Sequence, residues 1–327
     1  MGISSRLFGE PGSVKRPIVF LILALILSTL VAPSFLSARN ISALLISSSF
    51  LIVLTVGESF VIMTGMIDLG VQSVMAFAGM LVAFLTVLQG FPAVLAIVVS
   101  VLAAVGVGLI AGVLVTKGRI PSFIVTLGIY WGFKGVALLF NGGNYISPAT
   151  GVFSFSALAG NTLGLSNLVI LTLLFIVLGQ IILSLTPFGT WIKSVGSNEA
   201  AAKTVGLRID LLKILMFVIS ATLAGLAGIM IAAWQGSIYP TTGTGYSLQA
   251  IAAVILGGIP FSGGRGSVVG VNVISTSMNR NPLFKLFVFL LYLIFITVKQ
   301  HSPLAGVLGQ GLSVRIVQLL QPVYIRS

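Results

Sequence analysis

Long apolar runs broken by short polar turns repeat along this chain from Arg16 to the neighbourhood of Lys299. They predict nine or ten membrane-spanning helices at about 17–36, 42–63, 73–89, 92–116, 122–140, 167–186, 214–234, 247–262, 267–279 and 283–299, since a hydrocarbon core about 30 Å thick takes roughly 20 apolar residues per helix. In lipid every backbone N–H and C=O must be paired within the spanning structure, so only helices or a closed barrel fit. Continuous Leu/Ile/Val/Ala/Gly runs lack the apolar–polar alternation of barrel strands. The expected fold is an all-α, polytopic helix bundle. One transmembrane domain, 17–299, would lie between a short cytoplasmic N-terminal segment, 1–16, and a C-terminal tail, 300–327, of unassigned structure.

Composition agrees with the pattern: 57% of the 327 residues are hydrophobic, 7% are charged, and the mean hydropathy is +1.18, which excludes a water-soluble fold. The net charge of +12 would suggest nucleic acid in a soluble protein, but here it sorts by loop. Arg6, Lys15, Arg16, Lys117, Arg119, Lys193, Lys203, Arg208, Lys213 and Arg265 fall on one side, and only Arg39, Arg280 and Lys285 on the other. The positive-inside rule therefore puts the N-terminus in the cytoplasm, and a basic face suits the anionic lipid of an inner leaflet; no nucleic-acid partner is expected. The first run lacks a small-residue cleavage site, with Pro33-Ser34-Phe35 where one would fall, so it reads as a retained helix.

The chain has no cysteine and a single histidine, His301. That leaves no thiolate metal site, no thiol nucleophile and no His-Glu-x-x-His, so an intramembrane enzyme has almost no material. No Gly-Lys pair occurs, which rules out a P-loop of its own. No catalytic residue, metal or cofactor is expected. Glycines four apart, Gly108/Gly112 and Gly266/Gly270, are the spacing at which two helix backbones approach closely in lipid.

Two interruptions stand out. Thr64–Ser73 breaks a long apolar stretch and carries Asp68, one of only five acidic residues. Asp68 could cap the helix that follows, or belong to a broken helix lining an aqueous path, as in transporters. The second, Gln235–Ser247, is rich in Gly, hydroxyls and Tyr, Tyr246 among them, and falls on the outer face; it offers hydrogen bonds without charge to a polar neutral solute, or simply turns the chain. Glu58 and Lys134 fall inside spans, where an ionised group costs about 2.5–3.5 kcal/mol. Each should therefore face the bundle interior, pair (a Glu58–Lys134 pair would satisfy both) or lie near an interface, and the stem of Lys134 is long enough to reach headgroups.

The cytoplasmic loop 187–213 holds a third constellation. Ser197 or Asn198 can cap a short helix, Glu199 sits in its first turn and Gly206 ends it. Its spacing matches the Glu-Ala-Ala loop by which permeases of ATP-binding-cassette importers dock on their ATPase. Three stretches, Leu54–Leu69, Val195–Ala201 with Gly206, and Pro240–Gly258 followed by Gly263-Gly264-Arg265-Gly266, resemble the permease family that imports ribose, xylose, galactose, arabinose and autoinducer-2.

That resemblance implies a bacterial inner-membrane permease subunit with no catalysis of its own. Two such subunits, as a homo- or heterodimer, would form the pathway, two ATPase subunits would bind below, and a periplasmic or extracellular sugar-binding protein would deliver the solute. Glu199, Ala200, Ala201 and Gly206 would form the coupling helix; Glu58, Asp68, Tyr246 and Gln249 are the candidate pathway residues. The chain departs from the family pattern at Glu58, Met66, Gly70 and Gln72, where Gln, Gly, Ser and Gly are usual, and beyond Arg280. The alternative class is an ion-coupled secondary transporter in which Glu58 or Asp68 titrates.

Overall fold

The structure is a computed structural model that describes residues 37–148, 153–162 and 164–278. The expected first and last spans, the segments 1–16 and 300–327, Arg280 and Lys285 lie outside the described residues. The described helices are α1 Ala38–Met63, α2 Val71–Ala83, continued by a π-helical turn Phe84–Leu88, α3 Ala93–Thr116, α4 Ser122–Leu139, α5 Asn167–Leu185, α6 Pro187–Ser197, α7 Glu199–Thr204, α8 Ile209–Gln235, α9 Tyr246–Leu256 and α10 Val268–Met278. A two-stranded hairpin pairs Asn161 with Ser166 and Thr162 with Leu165 just before α5.

Among the described residues six helices, α1, α2 with its π turn, α3, α4, α5 and α8, are long and apolar enough to cross a membrane. The bundle is helical, as the sequence predicts. The expected span 247–262 is instead the eleven-residue helix α9, while of the expected span 267–279 the described residues include α10, Val268–Met278. At 1.5 Å per residue α9 is about 16 Å long, half a hydrocarbon core. The turn between α9 and α10 takes left-handed backbone at Gly258, Gly263, Gly264 and Gly266, which stops α9 where hydropathy alone lets it run on.

Burial sorts the helices into two rings. The apolar window of α1 is 89% buried within the protein, against 28% for α3 and 22% each for α4 and α5, so α1 is core and the others turn most of their surface outward from the bundle. Helix α8 packs against α1, α2 and α3. Glycine permits this closeness: a β-carbon at Gly108 would lie 2.7 Å from Val218 Cα and one at Gly112 2.7 Å from Ile214 Cα. The spacing of that pair thus marks a real helix crossing. Gly266 and Gly270 do not form such a pair. Gly266 lies in the turn before α10, with φ +132°, and its neighbour is Ile259.

Lys134 does not pair with Glu58. Its Nζ sits 5.1 Å from the Trp131 ring centre and 5.7 Å from that of Tyr130, and the negative ring faces offset part of its desolvation.

Candidate translocation site and docking loop

Both interruptions run through the bundle together. Helix α1 ends at Met63, and the chain turns at Gly65 (φ +76°) and climbs beside α4. The Ile67 N–H donates to Ser122 Oγ at 3.3 Å and the Leu69 N–H to Thr126 Oγ1 at 3.1 Å. Side chains on the first turns of α4 therefore satisfy the backbone groups that a continuous helix would have paired internally.

Asp68 is 6% exposed and Glu58 fully buried. Asp68 Oδ1 accepts the Gly70 N–H at 2.8 Å and Oδ2 the Ser220 hydroxyl of α8 at 3.1 Å. The Asp68 N–H in turn donates to Glu58 Oε1 at 3.2 Å. Asp68 is thus not the residue that caps α2. Gly70 holds that position, and Asp68 ties the turn before it to α8. Glu58 Oε2 has no hydrogen-bond partner among the described residues, which makes it the least satisfied carboxylate oxygen of the cluster.

The second interruption begins at the far end, where Ile238 bridges Ile146 and Ser147 Oγ donates to the Gly236 carbonyl at 2.9 Å. It does not stay on that face. A β-carbon at Gly79 would lie 3.1 Å from Ile238, Gly243 presses on the Met75 side chain, and Gln72 Oε1 accepts the Gly245 N–H at 3.0 Å and the Ser247 N–H at 3.4 Å. The segment therefore descends two turns along α2. Ser247 Oγ, donating to the Leu69 carbonyl at 2.9 Å, and the Gln72 N–H, donating to Ser247 Oγ at 3.3 Å, join the two interruptions.

Of the four candidate pathway residues, Glu58 and Asp68 are buried together inside the bundle, while Tyr246 and Gln249 lie half-buried on the opening turn of α9. The descending segment connects the two pairs through Gln72 and Ser247. Thr126 and Ser220 escaped sequence reasoning, and Ser247 entered it only as the last residue of the second interruption. Ser220 carried the one usable signal, a lone hydroxyl within the apolar run Phe217–Ala221, since such groups find partners across helices.

The loop 187–213 folds as two short helices. Thr186 Oγ1 accepts the Gly189 N–H at the start of α6, and Lys193 Nζ donates to the Leu183 carbonyl at 3.1 Å, a cation on the last turn of α5. Asn198, rather than Ser197, caps α7: its Oδ1 accepts the Ala201 N–H at 3.0 Å. Gly206, at φ +83°, closes it, with the Leu207 N–H on the Ala202 carbonyl at 3.2 Å. Glu199, Ala200, Ala201 and Gly206 are exposed, whereas Ala202 is buried beneath them.

The family model for the branched-chain amino acid transport system permease component matches residues 40–298. The chain belongs to this permease family. The permease is 35% identical over 255 residues to the ribose import permease protein RbsC of Bacillus subtilis, covering 78% of this chain and 79% of the relative. It is 35% identical over 280 residues to the L-arabinose transporter permease protein AraH of Azospirillum brasilense, covering 84% and 82%. To the autoinducer 2 import system permease protein LsrC of Escherichia coli it is 32% identical over 236 residues, covering 72% and 68%. No solved structure matches it. Its spanning helices and its bacterial relatives make it a multi-pass permease of the inner membrane, not the ion-coupled transporter of the alternative reading.

Proposed function

We propose that this permease forms the translocation pathway of an ATP-driven importer for a monosaccharide or a related small polar solute. Two ATPase subunits dock on the face that carries α7, a binding protein delivers solute to the opposite face, and a second permease subunit completes the path. The N-terminus and the loop 187–213 are cytoplasmic, and ATP hydrolysis is the partner's, with no catalysis in this chain. The observation that carries the reading is α7 itself: a capped, glycine-terminated, exposed helix on a chain whose relatives are named for sugar import.

Although the family description names branched-chain amino acids, the three relatives are named for ribose, L-arabinose and autoinducer 2. Chemistry favours the second group. An amino acid is a zwitterion and needs partners of both signs, whereas Pro240–Gln249 carries no charged side chain and the buried Glu58 and Asp68 are acidic only; the hydroxyls, amide and ring of that segment suit a neutral polyol. Movement of α7 would pass through α6 to the two interruptions and open the path alternately to either side.

Proteoliposomes holding the permease with its ATPase facing the lumen and the binding protein outside should accumulate solute only with ATP in the lumen, and should continue when proton and sodium gradients are dissipated. Accumulation by the permease alone, driven by an ion gradient, would refute the proposal.

A further inference from the structure

Beneath the docking helix, between the end of α3 and the start of α8, lies a cleft of about 540 Å³. Its two carboxylates are already engaged. Lys117 Nζ meets Asp210 Oδ2 at 2.9 Å and Lys213 Nζ meets Glu199 Oε2 at 2.8 Å. Two further cations line the same cleft, Lys203 and Arg208, both exposed and neither in an ion pair among the described residues. The cleft is therefore cationic in sum, with Arg208 and Lys203 outside those direct ion pairs and the field of Lys203 also falling on Asp210. Its other wall is apolar, formed by Leu207, Leu211 and Ile214, and it continues onto bare hydrocarbon: Leu211 is 50% exposed and Leu215, one turn on, 37%.

We propose that this cleft binds an anionic phospholipid, with Lys203 and Arg208 holding the headgroup phosphate and Leu211, Ile214 and Leu215 lying along an acyl chain. Basic pockets between spanning helices at the membrane surface bind such headgroups. A free phosphate would leave the leucine wall in water, whereas a lipid covers both halves of the site at once. This inference goes beyond the transport reading, under which lipid and ATPase would compete for Lys203 of α7.

The test uses the purified full-length permease without its ATPase and a spin-labelled phosphatidylglycerol, with phosphatidylcholine as the uncharged comparison. Phosphatidylglycerol should be retained selectively, and the double variant Lys203→Gln/Arg208→Gln should weaken retention roughly thirty-fold, at about one Lys/Arg contact's worth of surface attraction per residue. Leu211→Glu, which keeps both cations, should also release the lipid, while Lys193→Gln, a neutralisation outside the cleft, should not. Both side chains are exposed, so unchanged thermal melting will accompany the double variant. Equal retention of the two lipids, unchanged retention in the double variant, or displacement by inorganic phosphate at matched concentration would overturn the proposal. So would protection of Lys203 from amine labelling by the ATPase but not by phosphatidylglycerol.

Discussion

The Met63 carbonyl, at the end of α1, accepts the Gly264 N–H at 2.9 Å, and Gly196 of α6 lies so close to the same oxygen that a β-carbon there would collide with it. Ser197, the next residue, reaches the Gly264 carbonyl at 3.4 Å. The docking loop, the end of the core helix and the turn between α9 and α10 thus meet at one carbonyl, immediately before the first interruption begins. A displacement of α7 can reach Asp68 and α9 through the end of α6 and this junction.

Gly196→Ala should therefore separate motor from path. A β-carbon here meets backbone atoms, the Met63 carbonyl and the Gly264 nitrogen, so overpacking costs about 3 kcal/mol or more; the yield of folded complex should drop, and in the complex that does assemble the junction is forced apart. Uptake is expected to fall at least tenfold (about 1.4 kcal/mol or more) while the assembled complex still hydrolyses ATP. Parallel measurement of the two activities decides it: unaltered uptake would show that the contact transmits nothing.

Glu199→Lys and Gly206→Leu address the docking helix. The Glu199–Lys213 pair is largely exposed on the Glu199 side, and such pairs contribute under about 1 kcal/mol, so the first variant should fold normally. The second forces leucine into left-handed backbone at about 1–2 kcal/mol, fraying α7 without disturbing the spans. Both should leave ATP hydrolysis that no longer drives transport. Full transport by both would remove α7 from the mechanism.

Asp68→Ala strips acceptors from the Gly70 N–H and the Ser220 hydroxyl, each buried, at about 1–3 kcal/mol per orphaned donor; melting in detergent should drop markedly and uptake with it. Asp68→Asn keeps a carbonyl for one of them and should lose less. Glu58→Gln retains the acceptor for the Asp68 N–H and replaces an unpartnered carboxylate oxygen by a neutral group, so its melting temperature should equal or exceed that of the parent. A large drop would mean that Glu58 Oε2 has a partner outside the described residues.

Gln72→Ala leaves the Gly245 and Ser247 N–H groups without their acceptor and should loosen the descending segment rather than the bundle. The expected signature is a severalfold higher KM for uptake with melting lowered only slightly; Gln72→Glu, which keeps the acceptor oxygen, should restore KM. Matching KM values in all three proteins would detach this segment from the solute path.

Gly228→Leu probes the crossing of α2 and α8. Any β-carbon there strikes the Met75 carbonyl, a backbone atom that cannot swing aside. The variant should fail to accumulate as folded protein, whereas Gly128→Leu, where the β-carbon meets nothing within 4 Å, should express normally.

Much of this molecule is written in single residues. Apolar run length fixed the lipid-embedded helices, because the demand that backbone groups be paired in hydrocarbon acts on each segment separately. The short helix α7 was equally legible: Asn198, Glu199 and Gly206 perform local tasks, capping, dipole complement and left-handed closure, that need no distant partner. Gly108 and Gly112 were visible as a crossing, but Gly266 and Gly270 show the same spacing with no crossing, since spacing counts residues and does not know where a helix begins.

What the chain pattern could not decide is everything that depends on two remote segments sharing a volume. Hydropathy gave the interruption at 235–247 to the outer face, yet Gln72 draws it inward along α2, because a buried N–H will accept any correctly placed oxygen regardless of distance along the chain. The partner of Asp68 is Ser220, 152 positions away, and that of Lys134 is a pair of rings within its own helix rather than Glu58. Local rules set what each segment is; only the folded bundle sets which polar groups meet, since in lipid an unmet one has no water to fall back on.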